Sequence, residues 1–156
     1  VRAKITEVIT AGSAAKAAIS EGFQTNGMVG VDSAAAGISK GSGSTASKAV
    51  SKYLQSITSP SDATGALVKG TATGVITLTT SKDASLPTDA HLKTIVLLPY
   101  VGVAGVPTEL AAGQSGSVEW ACGTTTIAQA TARTSATIAA KATGTLPAKY
   151  APSECR

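Results

Sequence analysis

Aromatic side chains make up only 3% of this 156-residue chain, and charged ones only 14%. One tryptophan, one phenylalanine and three tyrosines are too few for the aromatic cluster that a small-molecule pocket normally needs. Thirteen Lys and Arg give a net charge of +4 and a pI near 9.2, yet they are dispersed, the nearest grouping being Lys40, Lys48 and Lys52 beside Tyr53. Specific nucleic-acid binding, which concentrates cations among aromatics, is disfavoured. One histidine and two cysteines without C-x-x-C spacing cannot assemble a four-ligand zinc site. The nine carboxylates form no pair spaced for acid–base catalysis. No window of about 18 apolar residues is present to cross a bilayer.

What is abundant is small. Alanine (29), threonine (22), serine (17) and glycine (16) exceed half the chain. A mean hydropathy of +0.21 is too apolar for a disordered polymer, and 156 residues suit one domain. From Val1 to Phe23, apolar residues at Val1, Ile5, Val8, Ile9, Ala15, Ile19 and Phe23 recur at helical spacing, with Lys4, Glu7, Lys16 and Glu21 between them. Gly22 and Asn26–Gly27 supply a stop. The helix, roughly 35 Å long at 1.5 Å per residue, is in phase at Val1 and is expected to continue upstream. Residues 24–52 read as a connection with one helical turn near Ala46–Lys52.

Strand signals follow over Tyr53–Ile57, Gly74–Thr80, His91–Val101 and Ser117–Cys122. Turn chemistry separates them at Pro60–Asp62, Ser85–Pro87 and Gly113–Gly116. His91–Val101 is apolar on both faces and reads as the central strand, while Val118, Trp120 and Cys122 share one face of the last. Without intervening helices these runs imply an antiparallel meander. Beyond Cys122 the Thr- and Ala-rich chain shows no clean period. Cys122 and Cys155 are either a disulfide, placing the chain in an oxidising compartment, or two separate buried thiols. A bridge across that loop would contribute roughly 4 kcal/mol, and Trp120 is expected to pack against it and the first helix.

Three motifs suggest chemistry and lack its context. Gly37–Gly41 matches G-x-S-x-G around Ser39, and Asp83 or Asp89 followed by His91 completes a hydrolase order, but no apolar strand precedes the serine. Gly41–Ala46 resembles a dinucleotide turn without a βαβ unit. Asp83, Asp89 and His91 could together touch a metal, although surface roles are the simpler reading.

The opening V-R-A-K-I-T-E-V from Val1, the strand end V-E-W-A-C-G-T from Val118 and the closing L-P-A-K-Y-A-P-S-E-C-R from Leu146 together resemble the type IVa major pilins of Gram-negative bacteria. The resemblance implies an α+β pilin fold over 1–156: a long N-terminal helix (1–23 being its C-terminal half) packed on a four-stranded antiparallel sheet (53–122), reached by an αβ-loop (24–52), with a disulfide-bounded C-terminal loop (122–155). It implies a non-enzymatic subunit without cofactor or metal, polymerising into retractile surface filaments for adhesion and twitching motility. Its partners would be further copies, the inner-membrane assembly machinery and host-cell or abiotic receptors; it would meet the membrane only through a preceding N-methylated apolar helix, and would reside in the pilus with an inner-membrane pool. Receptor or subunit contacts carry over to Thr143, Gly144, Pro147, Lys149 and Tyr150. A type II secretion pseudopilin or minor pilin is the neighbouring alternative. A small secreted serine hydrolase using Ser39 and His91, or a plain periplasmic binding module, stands further off, and O-glycans on the Ser/Thr-rich stretches 61–80 and 124–137 are a further expectation.

Overall fold

The computed structural model describes residues 1–61 and 72–156. The turn expected at Asp62 and part of the 61–80 stretch lie outside the described residues. Helix α1 spans Arg2–Ile38 and buries Ile5, Val8, Ile9, Ala15, Ile19 and Phe23 of the predicted stripe, with Gly12 besides, while Val1 precedes the helix and is exposed. Contact with the sheet is close. A Cβ on Gly12 would come within 3.0 Å of both Leu78 and Leu97.

The expected stop is half met. Gly27 does leave the helix (φ 60°, ψ −141°), a conformation that side chains resist, but the chain re-enters helix and continues to Ile38, so residues 24–38 are not the connection predicted. Two features of the sequence explain this. Met28, Val31 and Ala35 lie at i, i+3 and i+7 and are buried. Gly22 and Gly30 let the two helical stretches touch backbone to backbone: a Cβ on Gly30 would lie 1.9 Å from the Gly22 carbonyl oxygen. Two breakers read as an ending are a hinge and half of a helix crossing. No helix among the described residues is long and apolar enough to cross a membrane.

All four predicted strands form, as β2 (Leu54–Thr58), β3 (Ile76–Thr80), β4 (Thr94–Val103) and β6 (Glu119–Gly123). Two short ones join them, β1 (Lys40–Gly41) and β5 (Val106–Glu109). Every pairing is antiparallel. Leu97 pairs with both Ile76 and Cys122, and Tyr100 with both Glu109 and Glu119. Strands β3 and β5 therefore lie end to end along one edge of β4, with β6 along the other. Pro99, which has no N–H to donate, stands in the gap between β3 and β5.

As predicted, β4 is buried on both faces. On one, Ile95 and Leu97 join Ile76, Leu78, Leu54 and the α1 stripe. On the other, Val96, Leu98 and Tyr100 meet Ala121 and three alanines, Ala130, Ala139 and Ala142. These belong to the segment without period, which forms two short helices, α2 (Ala128–Arg133) and α3 (Ala136–Ala139), and a 3-10 turn at Ala140–Ala142. Alanines on one- or two-turn helices are too few to generate a readable period. They suffice because a Cβ-only surface lets a short helix lie close against a strand.

Candidate functional site

Cys122 is the last residue but one of strand β6, and the chain returns through the two short helices to a terminal 3-10 turn, Ser153–Cys155. Cys122 and Cys155 form a disulfide with Cα atoms 4.6 Å apart, so the pairing that the sequence left open is settled. Hydrogen bonds fasten the same closure. The Thr124 hydroxyl donates to the Cys155 carbonyl (2.8 Å), and the Gln129 amide to the Arg156 carbonyl (2.9 Å). The Arg133 guanidinium donates to the Trp120 carbonyl at 3.2 Å. Trp120 is half-buried, packs on the helix side and donates its indole N–H to the Ser20 hydroxyl at 3.0 Å, which ties α1 to β6 as its strand face predicts.

The five predicted contact residues fall in different environments. Thr143 is exposed, and Pro147 is partly so. Gly144 is buried: a Cβ there would lie 2.4 Å from the Thr94 carbonyl oxygen. It serves the close approach of this segment to the start of β4. There Thr94 and Thr145 clasp one another, each hydroxyl accepting from the other's amide (2.8 and 3.0 Å).

Lys149 and Tyr150 meet at Asp89, a residue the sequence connects only with metal or hydrolase chemistry. The Tyr150 hydroxyl donates to Asp89 Oδ1 at 2.7 Å, and Lys149 Nζ stands 3.3 Å from Oδ2 and 5.0 Å from the Tyr150 ring centroid. Arg2, at the beginning of α1, donates to the Lys149 carbonyl (3.2 Å). The hydrogen bond from Tyr150, then Lys149, holds the Asp89 carboxyl below its ordinary range. The same carboxylate raises both partners, Lys149 and Tyr150. Asp89 and Lys149 are exposed and Tyr150 is half-buried against the core, so the ion pair fixes positions more than it adds stability. Only tertiary structure brings Asp89 to residues 60 positions away, and no spacing rule could have paired them. Glu109 and Lys141 form a second tie, at 2.7 Å, between β5 and the turn after α3.

The residues of the discarded chemistry have structural partners. Ser39 donates its hydroxyl to the Ala35 carbonyl at the end of α1 (2.9 Å). His91 Nε2–H donates to the carbonyls of Leu86 (2.9 Å) and Asp83 (3.0 Å), closing its own loop. Asp83 accepts from the Ser85 amide and hydroxyl, and these bonds lower its pKa. Asp83, Asp89 and His91 thus turn to separate partners.

Compared with known proteins, the chain matches the family model for pilin, a bacterial filament protein, over residues 1–156. No curated protein and no solved structure matches it.

Proposed function

Because this chain belongs to the pilin family of bacterial filament proteins, we propose that the filament it builds is a type IV pilus, used for surface adhesion and twitching motility. The role as a structural filament subunit follows from the family; the finer assignment is our reading. The observation that carries it is the C-terminal closure: a segment bounded by Cys122 and Cys155 is stapled and hydrogen-bonded onto β6, while α1 lies along the opposite face of the same sheet. A rigid body of this kind transmits load along a fibre without the short helices peeling from the sheet. The disulfide also suits a surface outside the cell.

In this reading, copies wait in the inner membrane beside an assembly machine whose ATPases drive extension and retraction. The exposed residues Thr143 and Lys149, with the half-buried Pro147 and Tyr150, contribute to subunit or receptor contact, and Asp89 holds the Lys149 and Tyr150 side chains in place. Ser39 and His91 are structural, and the chain carries out no catalysis. The test is deletion of the gene in its own host, with electron microscopy of surface filaments and measurement of the twitching zone. Loss of filaments and motility together, restored by the gene in trans, is expected. Filaments lost with motility intact and secretion impaired would favour the pseudopilin alternative.

A further inference from the structure

Strands β4 and β5 join through Ala104 and Gly105, both at positive φ (52° and 80°), as a primed two-residue hairpin requires. Such tips are ordinarily polar, with Asn, Asp or Gly at the turn. Here the sequence is Val103-Ala104-Gly105-Val106, and the paired valines are 43% and 61% exposed. Alanine also tolerates positive φ poorly. The molecule thus displays an apolar, preorganised knob where solvent alone would favour neither the valines nor the alanine.

At the opposite end of the sheet lies a groove of ≈280 Å³ lined by Ala46, Ala49, Ser51, Lys52, Gln55 and Lys82. Its floor is fixed: Gln55 is 1% exposed and donates to the carbonyls of Ser42 (2.8 Å) and Thr45 (3.0 Å). The six side-chain carbons of two valines, at about the ~30 Å³ that a water occupies, need less room than it offers. Strand β4 runs from Thr94, beside the groove's end of the sheet, to Val103 at the knob. At ~3.3 Å per residue the two features are about 30 Å apart, so a molecule cannot fill its own groove.

Charge supports the match. Glu109 and Glu119 flank Tyr100 in register behind the knob, and Lys141 neutralises only the first. Lys52 and Lys82 line the groove, with Lys48 two residues from Ala46 and Lys4 Nζ 5.8 Å from the Tyr53 ring centroid. The groove's one carboxylate, Asp83, is turned to Ser85. We propose that the Val103–Val106 hairpin of one copy seats in the Ala49–Lys82 groove of the next. The contact is heterologous: each copy offers a knob at one end and a socket at the other, so the interaction propagates and does not close into a pair. Complementary charge fixes its direction. The inference rests on the filament reading above and adds its longitudinal contact.

The test uses the natural gene in its own host, with Ala49→Cys and Val106→Cys in the same chain. Filaments sheared from these cells should run as a ladder of dimers, trimers and higher species on a non-reducing gel. Either single variant should give no ladder. Filaments in normal number with only monomer bands would overturn the contact, and dimers alone would overturn its head-to-tail order. Filaments missing from the parent strain would overturn the filament reading itself and the contact with it. As a second measurement, Val106→Lys, which sets a cation against the groove's Lys52 and Lys82, should reduce surface filaments at least tenfold while the purified chain melts with the parent; a normal filament number would refute the proposal.

Discussion

The two faces of the sheet are covered by different means. Against one face lies α1, whose Ile5, Val8, Ile9 and Ile19 meet Leu78, Ile95 and Leu97 in a continuous aliphatic core. Against the other lie two helices of one or two turns whose buried contacts are alanines. A fully buried isoleucine or leucine contributes about 1.5–3 kcal/mol, and a methyl group far less. The long helix therefore holds its place by burial. The short ones need fastening, and the Cys122–Cys155 bond, the Thr94–Thr145 clasp and the Asp89–Lys149–Tyr150 cluster all lie in the segment that carries or follows them.

The comparison is broken most severely by removing the staple. Cys122→Ser with Cys155→Ser should cost about 4 kcal/mol by loop-closure entropy, read from denaturant unfolding. Hydrogen exchange should show residues 124–155 losing protection before α1 and β3 do. Uniform loss across both faces would mean that the alanine face does not depend on the bond more than the aliphatic one.

Next in size, Leu97→Ala should destabilise by about 2–5 kcal/mol, because its side chain on β4 is buried against Gly12 of α1. The alanine face should fail in the opposite sense. Ala139→Leu adds volume at a fully buried position of the alanine cluster, and about 1–3 kcal/mol is expected from overpacking. Thermal melts of both variants check the pair; a stabilising Ala139→Leu would show spare room under α3.

The smallest effect concerns charge. Asp89→Asn should change stability by less than about 0.5 kcal/mol yet release Tyr150, whose phenol should then titrate at lower pH by NMR. The signs follow from the shifts. The Asp89 pKa is lowered on folding, so its contribution is present above the unfolded carboxyl value and is lost as pH falls through the folded one. Those of Lys149 and Tyr150 are raised, so their contributions are lost as pH rises through their folded values. The cluster should hold across neutral pH and loosen at both extremes.

The aliphatic face was legible because its signal is periodic. Ile5, Val8, Ile9 and Ile19 mark a helix, the alternation over Gly74–Thr80 marks a strand, and the doubly apolar His91–Val101 run marks the strand between two layers. Sequence by itself thus determined the helix-on-sheet class and the direction each face points, since these follow from local spacing and from the gain in removing large side chains from water. Tertiary structure alone decided the rest. Gly22 and Gly30 become a crossing only when the seven intervening residues turn the helix back on itself, and Asp89 meets Tyr150 only once the tail is closed. Alanine carries too little hydrophobic free energy to announce its partner, so the second layer is specified by where the covalent bond and the backbone hydrogen bonds hold it.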